Sequence, residues 1–299
     1  MSADEDNAYQ ALAGTIDQDD PRWAFGSGFE DMEADLTAAV PDGADPAELA
    51  EYCLMLGDDA LVYSHRLTEW VSHAPELEEE VALANIALDL LGQARVLLAR
   101  AGHVEGKDRD EDDLAYWREV PAFRNVALAE PSDDLDFARA IARLLVFSTW
   151  RLALLHRLQD SADPVLAAVA AKGVKEVTYH RDHAARWTLR LGDGTAESHG
   201  RMQDALEWVW PFLGELFRTS DPERRLVAAG VAVDPAGLHD EVHEVIGQVL
   251  ARATLTRPDI PEMGTIGGLG GRQGVHTEKL EHALDAMQSL ARKHPGASW

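Results

Sequence analysis

Three polar side chains stand four residues apart in an apolar stretch: Asn85, Asp89 and Gln93. In a helix that spacing stacks them on one face, aimed at whatever packs there. Further along, Glu176, His180 and His183 supply carboxylate and imidazole groups at similar spacing. Groups of this kind, facing each other across four helices, can hold two irons that activate oxygen. That chemistry needs a Glu from each of two helices and a Glu-x-x-His from each of the other two. The chain fails the test. Three residues beyond Asp89 stands Gly92. The later frames read Glu176-x-x-Tyr179 and Val177-x-x-His180, and the run Phe147-Ser148-Thr149-Trp150 has no carboxylate. Asp89 and His180 are thus at most vestigial metal ligands, and no catalytic or cofactor-binding residue is assigned. The expected role of Asp89, Gln93 and His180 is a buried hydrogen-bonded network that fixes packing register. The alternative is a metal held by Asp89 and His180 with water.

Other motifs carry less. His239 and His243 are spaced i, i+4, a zinc-compatible arrangement, with Glu244 beside them. The pattern is not His-Glu-x-x-His, and its charged surroundings place it on a solvated face. The glycine-rich residues 264–276 lack the preceding strand and the Lys-Ser/Thr of a phosphate loop, so packing or an interface is the expected role. A single cysteine, Cys53, excludes an intrachain disulfide or a cysteine cluster.

The elements that must position these groups are helices. Residues 76–102 read as a central helix, with Pro75 before it, an acidic first turn, and Gly102 as its cap. Leu77, Val81, Ala84, Leu88, Leu91 and Leu98 form one apolar face, and Leu83, Leu90 and Leu97 a second. A helix apolar on two sides is expected between neighbours. A helix over 47–73 precedes it as an antiparallel hairpin partner. After a charged loop at 107–113 and a broken segment at 114–129, long helices are expected at 137–159 and 164–191. Further helices follow at 198–217, 222–229, 235–253 and 276–294. No strand alternation and no repeat is found. This order predicts an all-α, ferritin-like four-helix bundle with one crossover and additional C-terminal helices. Residues 46–299 form the domain. Residues 1–45, acidic with Arg22 as their one base, form an extension, expected to be disordered over 1–20, with Trp23 and Phe25 docking locally.

The chain has 299 residues and a formal net charge of −26, with 53 acids against 27 bases, of which five are lysine. A field so negative disfavours nucleic acid and anionic membrane. No uninterrupted apolar run reaches the 18 or so residues of a bilayer span. The acidic start, MSADEDNAYQ, is no signal peptide, and the lone cysteine fits a cytoplasmic protein. Acid excess with few lysines points to adaptation to concentrated salt.

The stretches Leu56-Gly-Asp-Asp-Ala-Leu-Val-Tyr-Ser-His-Arg-Leu-Thr-Glu-Trp70 and Leu83-Ala-Asn-Ile-Ala-Leu-Asp-Leu-Leu-Gly-Gln-Ala-Arg95 resemble the C-subunit family of bacterial phenylacetyl-CoA epoxidases. So do Ala171-Lys-Gly-Val-Lys-Glu-Val-Thr-Tyr-His180 and Gly270-Gly-Arg-Gln-Gly-Val-His-Thr-Glu-Lys-Leu280. The likeness covers about 48–299. It implies a ferritin-like fold and a structural, non-catalytic place in a multicomponent monooxygenase of aerobic phenylacetate breakdown. It implies as partners a related subunit that bears the di-iron centre, a small bridging subunit, and a reductase using NADPH, flavin and an iron–sulfur cluster. Without the partner, self-association or aggregation of the isolated chain is expected, a homodimer being one form. Where that catalytic relative has its Glu-x-x-His motifs, this chain has Asp89 to Gly92 and Val177 to His180. An oxidoreductase with its own metal, or a helical scaffold binding a CoA ester, are the alternative roles.

The charge balance makes one prediction. At molar salt the Debye length is about 3 Å and self-repulsion is largely screened. Dialysis from molar KCl into dilute buffer lowers the melting temperature; an unchanged melting temperature contradicts the salt adaptation.

Overall fold

The computed structural model describes residues 35–132, 134–263, 270–295 and 297. The expected disorder over 1–20, the docking of Trp23 and Phe25, and most of the glycine-rich loop lie outside the described residues.

The first helix, α1 (Pro46–Thr68), begins where Asp45 accepts the Ala47 N–H at 2.8 Å and Pro46 takes the first turn. It stops short of the expected 73, in turns that include Ser72 at φ 71°. The central helix, α2 (Leu77–Glu105), runs past Gly102 and ends at Gly106, with φ 66° and ψ 28°. Gly102 is therefore not the cap. A Cβ there would lie 2.0 Å from the Arg109 carbonyl oxygen, so glycine lets the returning chain touch the helix. The crossover holds α3 (Glu111–Tyr116) and two 3-10 turns, Val120–Ala122 and Ala127–Ala129. Helices α4 (Phe137–Leu158) and α5 (Pro164–Gly192) follow, capped by Asp136 and Asp163. Then α6 (Ala196–Val209) passes at Pro211 into a 3-10 stretch, Trp210–Phe217. The chain continues through α7 (Asp221–Ala228), α8 (His239–Arg252) and α9 (Glu278–Lys293). The described residues contain no strand.

Helices α1 and α2 form one hairpin, α4 and α5 the other, and α2 meets α5. Across the bundle, α1 and α4 meet through the Tyr63 and Phe147 rings, 4.4 Å apart, and through Arg143 stacked over Tyr63. This is the expected ferritin-like all-α bundle. The C-terminal helices add to one side: α6 packs on α4 and α5, and α8 on both.

The two apolar faces of α2 have different fates. Leu83, Leu90 and Leu97 are buried, as is Leu98. Leu77, Val81, Leu88 and Leu91 are left uncovered, with exposures from 38% to 71%. The expectation that both faces are buried within this chain is therefore corrected: α1 and α5 cover one side only. By length and composition α2 also matches a bilayer span, although no uninterrupted apolar run does. Core helices meet the same criterion.

One buried ion pair ties three segments together. Arg100 donates from Nη2 to Asp163 Oδ2 at 2.6 Å, both side chains fully buried. Asp163 also accepts the Val165 and Leu166 N–H groups at the start of α5. From Nη1, Arg100 donates to the Leu36 and Ala38 carbonyls at 2.8 and 2.7 Å. Residues 35–45 of the expected extension thus lie against the core, with Leu36, Val40 and Ala44 packed on it.

Asp163→Asn keeps the cap but leaves the Arg100 charge buried without its counter-ion, at a cost of about 3 kcal/mol. Asp163→Ala loses the cap as well and costs about 1 kcal/mol more. Urea unfolding measures both; wild-type stability in Asp163→Asn would contradict this reading of the pair.

Candidate functional site

The polar groups inside the bundle converge on a residue of α4. That helix is buried on nearly every side from Ile141 to Leu155, and Arg151 sits within the apolar run with 1% exposure. Its Nε donates to Gln93 Oε1 at 3.0 Å and its Nη1 to the Leu56 carbonyl of α1 at 3.3 Å. Gln93 passes the polarity on, donating from Nε2 to Glu176 Oε2 at 2.9 Å. Lys172, one turn earlier on α5, lies 3.5 Å from the other Glu176 oxygen. Gly173 gives Gln93 room: a Cβ there would lie 3.3 Å from the amide nitrogen and 2.9 Å from a Leu155 methyl. Arg151, Gln93, Glu176 and Lys172 thus form a chain of contacts through the space between the four long helices.

Burial pushes the Arg151 guanidinium down to about 10, against an opposing pull from Asp59, so it stays cationic at neutral pH. Burial, followed by the nearby charge of Asp89, pushes the Glu176 carboxyl up; the Gln93 hydrogen bond and Lys172 oppose the rise. Asp89 and His180 make a separate pair at the rim, 2.9 Å apart, with the Asp89 side chain 40% exposed.

Asp89 is therefore half-exposed rather than buried, and it pairs with His180 but not with Gln93. Gln93 instead joins Glu176 to Arg151. Sequence reasoning missed Arg151 and Lys172 and weighed Glu176 only as part of a failed motif. A signal was present: one arginine inside LLVFSTWRLALL, where a cation survives only with buried acceptors. The i, i+4 ladder Lys172-Glu176-His180 was the other. The groups here do not fit a di-iron centre. The donor set offers two carboxylates and one imidazole, where such a centre uses four and two, and two cations adjoin it, Arg151 through Gln93 and the partly exposed Lys172 at Glu176.

A second polar cluster closes the end of the bundle. Asp59 accepts both Arg272 Nη atoms, at 3.0 and 2.8 Å, and the Val126 N–H at 2.8 Å. Asp58 pairs with Arg118 and accepts the Arg124 N–H at 2.8 Å. Glu130 accepts from the Asn125 amide and the Thr277 N–H and pairs with His276 Nδ1 at 2.7 Å. The described end of the glycine-rich segment is thus packed structure: a Cβ on Gly271 would lie 1.8 Å from the Asn125 carbonyl oxygen. The i, i+4 histidines are not solvated together. His243 is 8% exposed, beside Trp210 and Phe217. A surface cavity of about 270 Å³ lies at the α4–α5 turn, lined in part by Arg157, Ser161, Gly230 and Val233.

Comparison with known proteins gives two findings. Residues 32–299 match the family described as Phenylacetic acid catabolic protein. The chain is 43% identical over 252 residues to a protein of Escherichia coli (strain K12) named as the C-subunit of 1,2-phenylacetyl-CoA epoxidase. The alignment covers 84% of this chain and 99% of that relative.

Arg151→Leu strips Gln93 and the Leu56 carbonyl of their donor and costs about 3 kcal/mol in urea unfolding. Combined with Glu176→Gln, the loss is smaller than the sum of the single losses by about 1 kcal/mol. Strict additivity would show that the two charges are not coupled.

Proposed function

This chain belongs to the phenylacetic acid catabolic protein family, and we propose that it is a non-catalytic, structural subunit of a phenylacetyl-CoA ring epoxidase. The observation that supports this most is the Arg151 guanidinium, with Lys172 near it, standing among the groups that would otherwise hold metal. A protein cation near these groups repels a second cation; Lys172 lies against Glu176, and Arg151 reaches that carboxylate through Gln93. On this reading the chain holds no redox cofactor. The iron pair belongs to a related oxygenase subunit, and NADPH, flavin and an iron–sulfur cluster to a reductase. The assembly is completed by a small bridging subunit, and all of it works in the cytoplasm.

The uncovered stripe on α2 is the proposed seat of the oxygenase subunit. Leu77, Val81, Leu88 and Leu91 follow four-and-three spacing, the seam by which one helix packs along another. The relative's designation as a subunit means that partners exist for that protein. A helix of the partner bundle laid on this seam supplies the cover this chain lacks. A stable interface buries about 1,600 Å² or more, so the contact extends beyond the stripe. Without the partner, the same seam drives a second copy of the chain onto the first.

Co-expression with the oxygenase subunit of the same assembly tests the proposal. The two elute together in gel filtration at micromolar concentration, and the double variant Leu88→Glu, Leu91→Glu separates them while helical circular dichroism is unchanged. Separate elution of the unaltered pair would overturn the structural role. So would stoichiometric iron that survives chelation in this chain alone and is lost in Asp89→Ala.

A further inference from the structure

We infer that His239, His243 and Glu262 form a site for a divalent transition metal, zinc by preference, that fastens residues 255–263 to α8. The site is separate from the bundle interior and does not depend on the epoxidase reading. His239 and His243 lie one turn apart on α8, their ring centroids separated by 4.3 Å. Glu262 reaches them from a segment beyond the end of that helix. One ligand atom from each of the three lies within 4.8 Å of the others.

The independent sign of a ligand is His243. Its side chain is buried, and neither ring nitrogen makes a hydrogen bond. Nε2 lies 3.3 Å from Glu262 Oε2. Buried polar atoms in folded proteins are almost always satisfied, and a cation between Nε2 and the carboxylate would give that nitrogen and the carboxylate a partner. His239 is prepared for the same task. Its Nδ1 lies 2.9 Å from Asp240 Oδ1; in the tautomer that donates this hydrogen bond, Nε2 is the nitrogen that ligates.

The third ligand is held by its backbone. A Cβ on Gly214 would lie 2.2 Å from the Glu262 carbonyl oxygen, so the segment presses on the 3-10 stretch where only glycine fits. Gln203 bonds both the Thr256 N–H and the Thr256 carbonyl, each at 2.9 Å. Arg257 stacks 5.2 Å from Trp210 and reaches Glu262 Oε1 at 3.4 Å. Phe217 backs both imidazoles, 5.0 and 5.5 Å away. The His239 side, 48% exposed, is open to water for a fourth ligand.

Two imidazoles, one carboxylate and a water make a zinc donor set, whereas calcium and magnesium take oxygen ligands alone. Bonds of about 2.0–2.1 Å in a tetrahedron put ligand atoms roughly 3.4 Å apart. The group therefore contracts on binding. The exposed His239 ring and the Glu262 carboxylate rotate inward, and Glu262 leaves Arg257.

The test uses the full chain, stripped with a chelator and titrated with zinc chloride by calorimetry, alongside its melting temperature. One zinc binds per chain and raises the melting temperature. His239→Ala and Glu262→Gln, both at partly exposed positions that leave the core intact, each weaken binding at least tenfold. Cobalt in place of zinc gives visible absorption bands that His239→Ala abolishes. Absence of saturable binding in the unaltered chain, or affinity retained within threefold in either variant, overturns the assignment.

Discussion

A guanidinium sealed between four helices cannot shed its charge at neutral pH, so its surroundings must be built to accept hydrogen bonds from it. Arg151 imposes that condition here. It takes a main-chain carbonyl from α1 and a carboxamide from α2, and through the carboxamide it reaches a carboxylate on α5. One side chain on α4 thereby fixes the register of the other three long helices. In a di-iron bundle, metal dications hold inward carboxylates together. In this bundle the positive charge is carried by Arg151 and Lys172, and fewer anions are needed to balance it. The interior keeps its polarity, with a guanidinium linked through a carboxamide to its carboxylate.

The same logic of buried charge governs the bundle's end. Asp58 and Asp59 stand side by side in the middle of α1, where two adjacent carboxylates would be costly alone. Arg118 and Arg272 neutralise them, and N–H groups of Arg124 and Val126 complete their shells. The crossover is held to α1 in this way, and the segment around Arg272 locks over it. Two sequence stretches that carry the family resemblance, Leu56-Gly-Asp-Asp and Gly270-Gly-Arg-Gln-Gly-Val-His-Thr, are the two halves of this latch.

Much of the fold was legible because local chemistry announces helix ends. Asp45-Pro46, Asp136 and Asp163-Pro164 start helices where the sequence places them, and Gly230 stops one. The misplaced boundary at Gly102 arose because glycine has two uses, a left-handed cap or a close contact, and sequence alone does not separate them. Periodicity revealed both apolar faces of α2, but it cannot say whether the cover for a face comes from the same chain. Arg151 escaped notice for a related reason. A search for metal ligands looks for carboxylates and imidazoles, whereas the residue that fills this interior is a cation. His243 looked solvated because its neighbours in sequence are charged, yet its neighbours in space are Trp210 and Phe217.

The central claim is that protein cations, and not iron, organise the middle of this bundle. An anomalous difference map collected at the iron edge, on crystals of the chain together with the proposed oxygenase partner, addresses it directly. The account predicts iron peaks in the partner's bundle alone, with guanidinium density joining Gln93 to the Leu56 carbonyl. A peak within bonding distance of Asp89, Glu176 and His180 would contradict it.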